Sequence, residues 1–281
     1  MRKVAILPTL LTLGNGICGF AAIAIASKIG TTELTPSETD HLFASAGWLL
    51  LFAMVFDMLD GYVARLSRTA SKFGGELDSL CDAISFGVAP AFLLLKMGPD
   101  WTPRRLLHQL LAGIAALYMV CTVLRLARFN VDNTPDPASH KRFKGLPSPG
   151  AAGCLAALAI FRGEFADKLT HTYLPYLEEK STRETIHDLV QSVSPLLALV
   201  VALLMVSRVA YPHVTKQVLR GRRSVGHLIQ VLLVAFIVVL VREVALLVLF
   251  LGYSLGVPIW ELAAKNFRAP VEAQVTPEGQ A

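Results

Sequence analysis

The chain has 281 residues, 54% of them apolar and only 17% charged, with a formal net charge of +5. Soluble domains carry about 25% charged residues, so this composition, with a mean hydropathy of +0.54, excludes an ordinary globular domain. No basic stretch is interleaved with aromatics, which excludes a nucleic-acid-binding surface.

The pattern predicts an all-α, polytopic membrane helix bundle of about eight transmembrane helices. Met1-Arg2-Lys3 followed by an apolar run at about 8–28 imitates a secretory signal peptide. Thr9, Thr12, Gly14, Asn15 and Gly16 interrupt the would-be apolar centre and many spans follow, so an uncleaved first helix is expected. Further runs long enough to cross ~30 Å of hydrocarbon fall at about 42–66, 77–97, 107–128, 148–163 and 190–210. The fifth run is short and rich in Ala and Gly, which suits a tightly packed interior helix. The last, His227 to Trp260, is long for one crossing and is divided by Arg242-Glu243. A single tilted helix and a hairpin at Arg242 both fit it; the hairpin gives eight crossings. Three regions result: a membrane domain over 1–210, a C-terminal helix pair over 211–260 and a disordered tail over 261–281. The segment 164–189 is expected as an external loop with a solvated charge mixture. Cys18, Cys81, Cys121 and Cys154 lie in apolar stretches without metal or redox spacing and read as reduced packing residues.

Lys and Arg collect at Arg2 and Lys3, at 65–72, at 125–144, at 216–223 and weakly at 265–268. Eight helices put all of these on one side, and the mixed or acidic segments 28–41 and 162–188 on the other. Lys96, Arg104 and Arg105 fit less well. Positive-inside asymmetry then places both termini on the cytoplasmic face of the cell (inner) membrane.

Four aspartates stand where a membrane chain should not have them. Asp57 and Asp60 close the apolar run that starts at Leu49, and Asp78 and Asp82 open the next. Ionisable groups inside a membrane are expensive and mark functional sites by default. Positions 57, 60, 61 and 64 follow i, i+3, i+4, i+7 and share one helix face; Asp78 and Asp82, four apart, share another. A hairpin of the 42–66 and 77–97 helices brings all four carboxylates to one level near the cytoplasmic surface. They repel one another there unless a cation sits among them, and a divalent metal pair is the economical explanation. Gly61 and Ala64 leave the backbone open to a close-approaching ligand. Arg65, Arg68 and Lys72 in the linker suit anionic phosphates. Helix-end or snorkelling carboxylates are the bland alternative, which accounts for one or two aspartates better than for four.

This pattern resembles the CDP-alcohol phosphotransferase family, whose motif is D-x2-D-G-x2-A-R-x8-G-x3-D-x3-D. All eight fixed positions are met, by Asp57, Asp60, Gly61, Ala64, Arg65, Gly74, Asp78 and Asp82. The resemblance implies two divalent ions, Mg2+ or Mn2+, on the four aspartates, with Asp82 also the general base toward an incoming alcohol. Such a pair clamps a pyrophosphate during in-line displacement at phosphorus. The implied substrate is a CDP-linked lipid, with CMP as leaving group. Gly61, Ala64 and Gly74 would let the nucleotide approach and Arg65 would face its phosphates. Ordinary helix packing is the alternative for the small residues, and a positive-inside anchor for Arg65. The family also implies a homodimer among membrane lipids.

The motif does not separate acceptor alcohols. The stretches Leu7–Ile23, Ser71–Pro90, Arg125–Asn130, Phe143–Pro149, Met205–Arg208 and Leu251–Trp260 are similar to the membrane-embedded phosphatidylserine synthase branch, so the resemblance covers most of residues 5–260. Pro8-Thr9 departs from the usual Pro-Asn opening. The branch implies CDP-diacylglycerol and L-serine as substrates. On their own terms, Arg125 and Arg128 lie at i, i+3 near the end of the fourth helix and point into one cavity. Serine brings a carboxylate, which arginine binds bidentately; Asn130 and Lys144 complete a polar pocket for the amino acid or a lipid phosphate. A basic cluster binding lipid headgroups is the alternative.

The expected function is metal-dependent transfer of a phosphatidyl group from CDP-diacylglycerol to L-serine, giving phosphatidylserine and CMP. The same transfer to glycerol 3-phosphate or inositol phosphate is the alternative within enzymes. A cation transporter would explain the intramembrane carboxylates but not the Gly-Ala-Arg elements between them, and the chain shows none of the repeats typical of that class.

Overall fold

A computed structural model describes residues 6–30, 34–67, 71–99, 105–132, 143–169, 179–211 and 242–268. Their helices are α1 (Ile6–Ser27), α2 (Pro36–Leu66), α3 (Lys72–Asp82), a π-helical turn (Ala83–Val88), α4 (Ala89–Met97), α5 (Arg105–Asp132), α6 (Ser148–Lys168), α7 (Glu179–Val206) and α8 (Arg242–Arg268). Among the described residues, six stretches are long and apolar enough to cross a membrane: α1, α2, the continuous Lys72–Met97 helix, and most of α5, α7 and α8. The expected all-α membrane bundle is what forms.

Helix starts follow local chemistry. Thr35 Oγ1 accepts the Glu38 N–H at 3.3 Å, while Glu38 Oε2 accepts the Thr35 N–H at 2.8 Å. With Pro36 opening the helix, this capping box begins α2 six residues before the apolar run that starts at Leu42. Ser71 likewise caps α3, its Oγ accepting the Gly74 N–H at 3.0 Å.

The run of helix from Lys72 to Met97 survives a proline. Pro90 has no N–H to give to the Phe86 carbonyl one turn earlier. The Tyr118 hydroxyl of α5 donates to that carbonyl instead, at 3.1 Å, from a fully buried position. The π turn lies just ahead, where the Ala89 N–H reaches back five residues to Ile84 O.

α6 is the centre of the bundle. Every residue from Ala151 to Ile160 is buried, and α2, α7 and α8 all pack on it. Its Ala-rich surface allows those close approaches, as its composition suggested. Just before α6, Phe143 and Lys144 (β1) pair antiparallel with Tyr211 and Ala210 (β2). Gly145 follows at φ +89°, where a Cβ would run into Met205 O. Gly145 and Leu146 donate their N–H groups to Val209 O and Leu204 O at 2.8 and 3.0 Å. The entry to α6 is thereby tied to the end of α7.

At the end of the bundle away from the aspartates, charged side chains join the helices. Trp48 Nε1 donates to Glu164 Oε1 at 2.8 Å. Arg242 pairs with Glu164 and Glu243, and Lys168 with the buried Glu243. Arg183 meets Asp40 at 3.2 Å, and Arg162 lies 3.9 Å over the Phe43 ring. These pairs correct the expected 164–189 loop: residues 164–168 are helical, and helix resumes at 179. Glu164, Lys168 and Arg183, in a stretch whose charges read as solvated, pair with Arg242, Glu243 and Asp40 on other helices. The C-terminal region differs too, since α8 runs to Arg268, past the expected boundary at 261. The first half of the 227–260 run and the tail beyond 268 lie outside the described residues. All four cysteines are free thiols.

Candidate active site

Asp57 and Asp60 occupy the last turns of α2, and Asp78 and Asp82 lie on α3. Carboxylate oxygens of Asp57, Asp60 and Asp78 lie within 4.8 Å of one another. Asp82 stands beside Asp57 and within electrostatic reach of the other two. It is buried, and its Oδ1 accepts the Asn15 Nδ2–H of α1 at 2.8 Å. The hairpin therefore gathers three carboxylates tightly and sets the fourth against the first helix.

α1 can come this close because it carries glycine where it meets α3 and the π turn. A Cβ on Gly19 would lie 2.6 Å from Ser85 Cα. The same face presents Thr12, buried, whose Oγ1 donates to Pro8 O at 3.0 Å and also lies against Asp60.

The donor set fits a divalent cation. Asp60 Oδ2, Asp78 Oδ1 and Asn15 Oδ1 are buried without a hydrogen-bond partner among the described residues. Orphaned buried oxygens are costly, and three carboxylates crowded together repel. An all-oxygen set of this kind suits a hard divalent ion.

Around it, Arg65 folds back over Gly61, where a Cβ would meet its Nη1 at 3.4 Å. Ala64 is half-buried on the same helix, and Gly74 sits in the first turn of α3, one turn before Asp78 on the same face. Lys72 is exposed at the start of α3; Arg68 lies outside the described residues. Asn130 Nδ2 donates to Ser79 Oγ at 2.8 Å, docking the end of α5 beside Asp78. Arg125 is half-buried, donates from Nε to Leu146 O, and lies within electrostatic reach of Asp82 and of the half-buried Arg128. Lys144 has its backbone in β1. The sequence alone assigns Thr12, Asn15 and Ser79 no role at the site. The sequence carries a signal for the first two: with Thr9 they are the polar residues, spaced three apart, that interrupt the first apolar run.

Comparison with known proteins decides the family. Residues 5–177 match the family model for CDP-alcohol phosphatidyltransferase. The chain belongs to that family. It is 36% identical over 154 residues to the CDP-diacylglycerol–serine O-phosphatidyltransferase of Helicobacter pylori, covering 54% of this chain and 56% of that protein. The Mycobacterium tuberculosis enzyme of the same name is 34% identical over 169 residues, 59% of this chain and 52% of its own length. That of Methanocaldococcus jannaschii is 32% identical over 213 residues, 75% and 76% of the two chains. The chain thus spans about half the length of the two bacterial relatives and three-quarters of the archaeal one. The motif resemblance read from the sequence is borne out at the level of the family.

Proposed function

We propose that this protein transfers the phosphatidyl group of CDP-diacylglycerol to the hydroxyl of L-serine, giving phosphatidylserine and CMP. The observation that carries the reading is the group of Asp57, Asp60 and Asp78, with orphaned buried oxygens, beside an arginine-lined approach from α5. The relatives' names support serine as acceptor.

Asp57, Asp60, Asp78 and Asp82 would hold two divalent ions, Mg2+ or Mn2+. Such ions, when bound, neutralise the pyrophosphate oxygens and polarise the reacting phosphorus. Arg65, with Gly61, Ala64 and Gly74 leaving room, receives the CDP phosphates. Arg125 and Arg128, with Asn130 and Lys144, hold the serine carboxylate and turn its hydroxyl toward Asp82. Asp82, aimed by the Asn15 amide, takes the hydroxyl proton as the serine O–P bond forms and the bond to CMP breaks.

The site lies on the cytoplasmic face of the inner membrane in this reading, supported by the Lys and Arg distribution. β2 lies at the aspartate end and α8 starts at the other, which supports two crossings in the C-terminal run. The chain acts as a homodimer, as its family resemblance implies; its mass in mild detergent tests that.

Purified protein given CDP-diacylglycerol, Mn2+ or Mg2+ and labelled serine is expected to form labelled phosphatidylserine with one CMP per lipid, and chelation with EDTA to stop it. Faster turnover with glycerol 3-phosphate or inositol phosphate would refute serine as acceptor. Asp82→Asn is expected to lower kcat by about 10²–10⁴, the usual contribution of a positioned base; an unchanged kcat removes that role.

A further inference from the structure

Residues 5–177 match the family, yet α8, far beyond them, sends a side chain to the acceptor side of the site. Tyr253 of α8 is half-buried and lies over the start of α6, where a Cβ on Gly150 would stand 3.5 Å from the Tyr253 ring and 3.4 Å from Leu146 Cδ1. Leu146 is the residue whose carbonyl accepts from Arg125 Nε. Tyr253 and Arg125 thus both bear on the Leu146–Gly150 entry to α6, one on the Gly150 side and one on the Leu146 carbonyl, and Tyr253 lies within electrostatic reach of the Arg125 guanidinium.

Its surroundings fix it there. The Tyr211 ring stands 5.5 Å away, tilted by 53°. The Tyr211 hydroxyl donates to Ser254 O at 2.8 Å, and Cys154 Sγ lies 3.2 Å from Ser254 Oγ. Tyr211 and Ser254 are buried, so the register of α8 is set at the residue next to Tyr253. A tyrosine held this firmly is more than is needed to fill lipid-facing space. Leucine, abundant along α8, would fill it equally well and leave no hydroxyl to satisfy.

We propose that Tyr253 is a positioning residue for the acceptor: it steadies the Arg125 guanidinium, which receives the serine carboxylate. The inference rests on the serine reading given above. It assigns α8 a part in choosing the acceptor and none in binding the nucleotide, whose contacts lie on α2 and α3. Tyr253 acts through Arg125 and touches no reacting atom.

The test is steady-state kinetics of the full-length protein in detergent, with CMP release followed against serine and CDP-diacylglycerol separately. Tyr253→Phe keeps the ring and removes the hydroxyl. Its KM for serine is expected to rise about tenfold or more, the size of one polar contact to a charged group, with kcat and the KM for CDP-diacylglycerol within about twofold. In an Arg125→Lys background the same change is expected to add nothing further, because the two residues act as one unit. An unchanged serine KM in Tyr253→Phe, or an equal rise in both KM values with a lowered Tm, overturns the proposal. A wild-type protein that releases CMP with another alcohol but not with serine instead refutes the serine reading.

Discussion

Asn15 offers the sharpest test of how the first helix serves the site. Its Nδ2–H donates to Asp82 Oδ1 at 2.8 Å, and both residues are buried. Asn15→Ala removes that donor from a buried carboxylate. A hydrogen bond to a charged group is worth about 1.5–3 kcal/mol, which converts to roughly 10- to 150-fold in rate at 1.36 kcal/mol per decade. If the amide aims Asp82 at the acceptor hydroxyl, that loss falls on kcat, while the KM for CDP-diacylglycerol stays near wild type. α1 keeps its place through Gly16 against Cys81 and Gly19 against Ser85, neither of which involves the Asn15 side chain.

The assay is initial-rate CMP release at saturating and limiting substrate, paired with thermal unfolding of the detergent-solubilised protein. A kcat within twofold of wild type, at an unchanged Tm, would refute the claim that α1 orients Asp82. Asn15→Asp sharpens the comparison. It adds another carboxylate to a group already crowded with them, so it is expected to be slower than Asn15→Ala despite being nearly isosteric.

Gly19→Ala sets helix propensity against packing. Alanine is favoured over glycine by about 1 kcal/mol in a helix, but its Cβ would stand 2.6 Å from the Ser85 backbone. The clash wins, so both Tm and kcat should fall; a raised Tm refutes the close approach. Tyr118→Phe leaves the Phe86 carbonyl buried and without its donor, a loss of about 1–3 kcal/mol, read as a Tm lower by several degrees. Glu243→Gln weakens the partners of Lys168 and Arg242 at the start of α8. It is expected to lower Tm while leaving the KM for CDP-diacylglycerol unchanged, and a shifted KM would count against a purely structural role.

The site was legible in the sequence because its signal is local. Asp57, Asp60, Asp78 and Asp82 fall at helical spacings inside apolar runs, and no ordinary membrane helix places carboxylates there. The partners on other helices were harder to read. Asn15 appeared as an interruption of an apolar run, but nothing within 8–28 tells which distant residue its amide meets. Asn130 reads as part of a polar pocket with Arg125, Arg128 and Lys144, but its position in the sequence does not reveal Ser79 as the partner of its amide. Helix lengths were underestimated for a related reason. The apolar pattern reports the hydrocarbon crossing, whereas α2, α6 and α7 continue beyond it through capping boxes and ion pairs such as Arg183 with Asp40. Those extensions carry no hydrophobic period, so charge at 164–168 looked like loop.

Tyr118 connects the two halves of the site. Its hydroxyl answers the carbonyl that Pro90 leaves bare, on the helix that carries Asp78 and Asp82. Thr122, one turn on, is also fully buried and donates to Tyr118 O at 3.0 Å. Arg125 follows at i+7 from Tyr118 and therefore leaves α5 from the same face. A single buried face of α5 thus sets its rotation against the aspartate helix and, two turns later, aims the guanidinium at the entry to α6. Asn130 closes the arrangement by reaching Ser79. The proline that weakens one helix is answered by the helix that brings the cationic groups, so the spacing between acids and arginines is set by packing outside the site itself.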